Sequence, residues 1–397
     1  MYSVTIQMRC VDAEGRAVVR PASREVVAIS RAEAGCLFFD VLFDETDPLL
    51  VRFYAAYRDR AAFDAHLGAP HTQHWVRTCM PHVDRASIRL PESVSEWGTE
   101  MDRIVVVFGA TGKIGTEMVK LLAADTRCKE VRAITRDPAG AQARILEAMG
   151  PTVRVLPFVE EQHAAACAGA TDAFVVSPLI DDMVGWHATV ANALVAAGIG
   201  HVVKVSVTGA RAPESDPPPG RFPSLHWAGE EALRHSGLKT TVIRPTIFMQ
   251  HFEMDTGLYE RGADAFYLPT GTSGIAFLDC RDIAALGQEL LLSPAALPFH
   301  GGAYELTGPE AVSGEQIART LSAVRRGTVR HVDGLEAFEV HCAEIGKADW
   351  AKHVYREAAD GWFAEVRTET FETLTGRRPR SFAAYAHDRG QVFARRT

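Results

Sequence analysis

A chain of 397 residues exceeds what one ordinary hydrophobic core organises, so at least two domains are expected. Its 47% hydrophobic and 23% charged residues are those of a globular protein, and a net charge of −8 argues against nucleic acid, whose phosphates need a basic surface. Seven scattered cysteines without a Cys-x-x-Cys pair, no apolar run near the ~18 residues of a membrane span and no signal-like start predict a cytoplasmic chain of reduced thiols, without membrane partner, disulfide framework or zinc site.

Along the first hundred residues, Ser3–Val11 alternates and reads as a strand, Arg20–Ser30 as a helix, and Cys36–Phe43 and Leu50–Tyr57 as strands. Asp59–Leu67 and Thr72–Cys79 read as short helices parted by Gly68-Ala69-Pro70, and Ser87–Leu90 as a last strand. Residues 1–95 are therefore predicted to form a small α+β domain on a four-stranded antiparallel sheet. The polar stretch Pro91–Asp102 follows it, and residues 96–102 are taken as a linker to a second domain over 103–397.

From Arg103 short apolar strands alternate with helices. Strands are predicted at Ile104–Phe108, Val131–Thr135, Val153–Leu156, Ala173–Val176, Val202–Val205 and Thr241–Ile243, with helices such as Glu117–Ala124 and Met183–Ala197 between them. This alternation predicts a Rossmann-type, doubly wound parallel sheet with helices on both faces. Glu214–Pro223 (ESDPPPGRFP) reads as a rigid loop, and the irregular pattern beyond Gly257 as a small C-terminal part that covers a substrate.

The first of these strands runs into FGATGKIG, with glycines at Gly109, Gly112 and Gly115. Gly109 permits a tight turn, Gly112 a close backbone approach to a pyrophosphate, and Gly115 close helix packing. The helix N-terminus beyond offers free N–H groups and a positive dipole end. Lys113 is followed by Ile114 rather than by Ser or Thr, which argues against a mononucleotide P-loop. The second strand ends in AITRDP, where Arg136 suits the 2′-phosphate of NADP better than the free ribose of NAD.

From Arg103 onward the chain resembles the NmrA-like family of atypical short-chain dehydrogenases, including the type 2 quinone oxidoreductases. The likeness rests on FGATGKIG, AITRDP, FVVSP, HVVKVSVTGA, HWAGEEALRHSGLKTTVIRP and YELTGPEAVSGEQIA, in that order. It implies NADP(H) contacts from Gly109, Thr111, Gly112, Lys113, Ile114 and Arg136, then from Ser177 and Pro178, Lys204, Pro245 and Thr246. Phe158 departs from the pattern, standing where relatives often carry an adenine-contacting aspartate.

Ordinary short-chain dehydrogenases protonate their product with a Tyr-x-x-x-Lys pair, and none of the eight tyrosines here has a lysine four residues on. At the corresponding helix stands His226-Trp227-Ala228-Gly229-Glu230. His226 and Glu230 share a helix face, match a His-x-x-x-Glu of the quinone oxidoreductases and are the candidate catalytic pair, His226 as a proton donor. The alternative is a helix-surface pair on a protein that binds NADP as a redox sensor.

Gly35–Trp75 resembles the antibiotic biosynthesis monooxygenase family of dimeric, ferredoxin-like α+β barrels. The matching residues are Gly35-Cys36-Leu37, Tyr57-x-Asp59, Ala62-Phe63-x-x-His66 and Pro70-His71. The likeness implies a homodimer that oxidises a phenolic aromatic with O2, without metal or flavin. His66 or His71 would be the base and Trp75 a wall of the aromatic pocket, the alternative being surface histidines around a core indole. A metal site on His66, His71 and His74 is disfavoured, because no carboxylate completes it and His74 faces away from one of the others. Ala55 stands where many relatives carry a glutamate. Together the two resemblances imply a bifunctional oxidoreductase of a polyketide-type phenol or quinone, with NADP(H) as its cofactor.

Overall fold

The structure, a computed structural model, describes residues 2–44, 47–89, 103–159, 163–178, 180, 182–216, 220–253, 258–260, 264–293, 296, 299–345, 355, 359, 363 and 366–393. The linker at 96–102 lies outside them. Among the described residues no helix is long and apolar enough to cross a membrane.

The N-terminal unit runs β1 (Tyr2–Cys10), α1 (Ala13–Ser30), β2 (Cys36–Phe43), β3 (Leu50–Tyr57), α2 (Arg60–Gly68), α3 (Pro70–Cys79) and β4 (Val83–Arg89). Its antiparallel sheet has the order β2-β3-β1-β4, a ferredoxin-like arrangement. Helix α1 begins seven residues before the predicted Arg20, capped by the Asp12 carboxylate on the Gly15 N–H, and carries Pro21 inside it. Packing of Val19 and Val26 in the core carries the helix through the proline.

The second unit holds a seven-stranded sheet, every pair in it parallel. Six of its strands fall where predicted: β5 (Arg103–Phe108), β6 (Cys128–Thr135), β7 (Val153–Pro157), β8 (Asp172–Val176), β9 (His201–Val205) and β10 (Thr240–Pro245). Helices α4 (Lys113–Ala123), α5 (Ala141–Glu147), α6 (His163–Cys167), α7 (Met183–Ala196) and α8 (Arg221–His235) connect them. Helix α8 begins within the predicted loop Glu214–Pro223, since Pro223 falls in its first turn, where a missing N–H costs nothing. Beyond β10 the chain is more regular than expected. After the short strands β11 (Tyr259–Glu260), β12 (Ala265–Tyr267) and β13 (Gly274–Ile275) come α9 (Cys280–Leu292), packed on α4, and β14 (Ala303–Leu306), the seventh strand.

The strand order β14-β10-β9-β8-β5-β6-β7 reverses direction between β5 and β8. At such a switch point the loops leave the sheet on opposite sides and open a crevice at the carboxyl ends of the strands. The glycine turn after β5, Arg136 after β6, Ser177 after β8 and Pro245 at the end of β10 all lie on that edge.

Candidate functional sites

At the glycine turn the backbone explains the residues. Gly109 has φ +73°, and a Cβ there would stand 2.6 Å from the Val176 carbonyl oxygen. A Cβ on Gly115 would come within 2.1 Å of the Gly109 carbonyl oxygen, so this glycine packs helix against turn rather than helix against sheet. Gly112 caps α4, and no side chain takes the N–H groups of that first turn. The arrangement fits the pyrophosphate of a dinucleotide: free donors, a dipole end and no side chain in the way. Lys113 reaches Glu253, 3.7 Å away, while Ile114 buries its side chain and leaves only backbone for a ligand. Thr111 is half-buried beside them.

Arg136 is exposed just past the end of β6, the strand beside β5, and makes no ion pair among the described residues. The alternative of an Arg136–Asp137 surface pair is not what the structure holds. Phe158 stacks on Trp186 at 5.9 Å, and both meet the edge of Phe108, an aromatic group below the same crevice. Thr246 is committed to the fold, its hydroxyl donating to the Ala276 carbonyl at 2.7 Å, and Pro245 is buried next to it. Pro178 is half-buried after Ser177.

Behind this edge lies a buried polar chain that the sequence reading found only in part. Lys204 of β9 is fully buried and donates to Ser177 Oγ and to the Val205 carbonyl, each at 3.1 Å. Ser177 in turn bonds His187 Nε2 at 2.8 Å, and His187 Nδ1 donates to the Met183 carbonyl at 2.7 Å. That bond fixes the tautomer: Nδ1 carries the proton and Nε2 accepts from the serine. The third Lys204 N–H has no partner among the described residues. His187 was missed. The available signal was Gly229, where a Cβ would stand 2.4 Å from the His187 ring, so glycine is what lets α8 close on α7.

The candidate pair His226 and Glu230 shares a face of α8 but is not bonded together. Glu230 is fully buried and takes a forked ion pair from Arg244, at 3.0 and 2.6 Å, with Arg234 at 3.3 Å and the Ser206 hydroxyl as further donors. It anchors α8 to β10 rather than orienting His226. His226 is buried, and its Nδ1 has no hydrogen-bond partner among the described residues.

Burial sets the protonation of this group. It holds His226 well below the usual imidazole value, helped by the nearby Lys204 and His187, and brings His187 down to about 3. Burial thus favours the neutral form of both rings, which weighs against His226 acting as an imidazolium acid. Burial also lowers Lys204, from 10.5 to about 7, against the pull of Glu230. Lysine, not histidine, titrates near neutrality here.

In the N-terminal unit an apolar, partly open cavity lies between sheet and helices, lined among others by Phe39, Phe53, Ala55, Tyr57, His66 and Trp75. Trp75 meets Phe53 edge-on at 5.0 Å and donates its indole N–H to Ser23 Oγ at 3.1 Å, so it is both a cavity wall and a core residue. His66 is buried and His71 nearly so, whereas His74 points to solvent. The carboxylate not found in the sequence is Glu33, from the turn after α1. It lies 2.9 Å from His66 Nδ1 and 3.2 Å from His71 Nε2.

A seven-stranded parallel sheet with a glycine turn at its switch point defines a Rossmann-type fold. Residues 101–340 match the NmrA-like family and residues 1–78 the antibiotic biosynthesis monooxygenase family. The chain belongs to the NmrA-like family and carries an antibiotic biosynthesis monooxygenase domain at its N-terminus. It is 34% identical over 299 residues to an NAD(P)H azoreductase of Xenophilus azovorans, covering 73% of this chain and 99% of that one. It is 27% identical over 222 residues to quinone oxidoreductase 2 of Escherichia coli, 55% of this chain and 73% of the relative. The solved structure of an NADPH-dependent quinone oxidoreductase of Escherichia coli, complexed with NADPH, matches with a TM-score of 0.60 at 24% identity, over 72% of this chain and 99% of that one. At that identity the likeness concerns the fold.

Proposed function

We propose that the second unit is an NADPH-dependent reductase of an aromatic acceptor, a quinone or an azo compound. The observation that carries this reading is Lys204: a buried ammonium with one unshared N–H, close to neutral pKa, on the strand next to the switch point. NADPH, held by the glycine turn and by Arg136, supplies a hydride when bound. Reducing a quinone to its hydroquinone then needs one proton. Lys204 offers it, and Ser177 and His187 hold the amine in place through the hydrogen-bonded chain. His226 contributes as a neutral imidazole, filling the wall beside Lys204. The relatives' names, azoreductase and quinone oxidoreductase, support acceptors of this class.

The N-terminal cavity supports a second step on the same kind of molecule. A phenol there meets the imidazole of His66, bonded behind by Glu33, to which its proton can pass, and the flat walls of Trp75 and Phe53. With O2 as the oxidant, one oxygen atom enters the ring and the other leaves as water, giving a quinone. That product is the class of acceptor the second unit reduces. Mixing the full chain with NADPH and a panel of quinones and azo dyes, and following NADPH absorbance, tests the reductase reading. Turnover supports it; tight NADPH binding with no turnover on any acceptor would replace it with a redox sensor.

A further inference from the structure

We propose that Glu33, His66 and His71 form a site for a divalent first-row transition metal beside the N-terminal cavity, whose wall His66 joins. The three side chains come from three segments: the turn after α1, the last turn of α2 and the first turn of α3. Their ligand atoms all lie within 4.8 Å of one another. The two carboxylate oxygens face the two imidazole nitrogens at 2.9 and 3.2 Å. Metal bonds of about 2.0–2.2 Å to nitrogen and oxygen place neighbouring ligand atoms roughly 3 Å apart, so little movement is needed to admit an ion. None of the three is an exposed surface group, the side chains being 5%, 14% and 22% exposed for His66, His71 and Glu33.

A second, independent feature points to a ligand at this spot. The Tyr57 hydroxyl is fully buried without a hydrogen-bond partner among the described residues, and its ring lies 5.3 Å from that of His66 in the wall of the same cavity. A buried hydroxyl left alone costs about 1–3 kcal/mol, which an oxygen ligand in the cavity would recover. Two imidazoles and one carboxylate suit zinc, iron(II) or cobalt(II) rather than magnesium or calcium, which prefer oxygen donors. The open positions would take the oxygen of a phenol. The phenol would then lose its proton to water and the cation would hold the phenolate by its charge, whereas without metal His66 takes that proton.

The test uses the full chain, stripped with chelator, desalted and titrated with Co²⁺ while its visible d–d absorption is followed. One equivalent with a coordination spectrum is expected. Losing an outer partner typically costs 10–100-fold in metal affinity, so Glu33→Gln and His71→Gln should each weaken binding by about 100-fold or more. Both positions are partly exposed, and circular dichroism matching wild type shows that the variants fold. No saturable Co²⁺ binding, or equal binding by wild type and both variants, overturns the proposal. Quenching of Trp75 fluorescence by a phenol in the stripped protein separates the two readings. Phenol binding without Co²⁺ binding leaves the aromatic cavity standing and removes the metal; Co²⁺ binding without phenol binding does the reverse.

Discussion

Replacing Lys204 by methionine keeps the length and shape of the side chain and removes only the ammonium. In the reductase mechanism this should lower turnover by about 10²–10⁴-fold, the range for loss of a general acid, with NADPH affinity kept. It should also change stability, in the opposite direction. Burial brings the lysine from 10.5 to about 7. At about 1.4 kcal/mol per tenfold, the folded protein therefore carries a cost of roughly 5 kcal/mol below pH 7, where the group is charged in both states. Between pH 7 and 10.5 the unfolded chain binds the extra proton, so this contribution makes stability rise with pH until the lysine is neutral in both states. Methionine removes that cost but strands the hydrogen bonds to Ser177 and Val205, about 1–3 kcal/mol. Lys204→Met should thus be about 2–4 kcal/mol more stable than wild type at pH 7 and no more stable than it near pH 10. Urea unfolding of both proteins across this range measures the difference. A difference that does not change with pH, or unchanged single-turnover NADPH oxidation, would refute the assignment.

Wild-type turnover should fall as pH rises through about 7, because only the protonated lysine gives up a proton; a pH–rate profile on a quinone checks this. Arg136→Ala should weaken NADPH by about 1.5–3 kcal/mol and leave NADH almost unmoved, as measured by fluorescence titration. His226→Gln should keep that pH profile in place, since burial already holds the imidazole neutral. Glu230→Gln should act on stability, its loss of charge beside Arg244 and Arg234 lowering the melting temperature more than the quinone rate constant.

The sequence made most of the frame legible, because its signals were local. Alternation located the strands on both sheets, and the glycines at 109, 112 and 115 located the crevice. What stayed hidden depended on contacts between distant segments. Lys204 was seen as a cofactor contact, but its state is set by Ser177 and His187, which arrive from β8 and α7. Glu230 was paired with His226 by helical spacing, yet its side chain turns to Arg244 on β10. Glu33 lies in a turn between a helix and a strand, where nothing in the local pattern marks a carboxylate as facing two histidines more than thirty residues away. Helix α9 escaped because it is buried on most of its surface and shows little polar face to read.

The assembly follows from which edges of the small sheet are covered. On the β4 side, Arg85 lies over the ring of Phe299, and Asp64 of α2 bonds Lys239 at 3.1 Å, so this flank is packed against the second unit. The other edge is β2, and its outward residues Phe38 and Leu42 are each 50% exposed, with Leu37 at 59%. An apolar edge strand left open would pair with any available strand. A second copy of the chain meeting it with the same surface about a twofold axis would remove the edge from both. Light scattering on the full chain should therefore give a dimer, and Phe38→Asp with Leu42→Asp should give a monomer that still binds NADPH, because the crevice belongs to the other sheet. A monomeric wild type at micromolar concentration would remove this argument, and a double variant that remains dimeric would move the interface elsewhere.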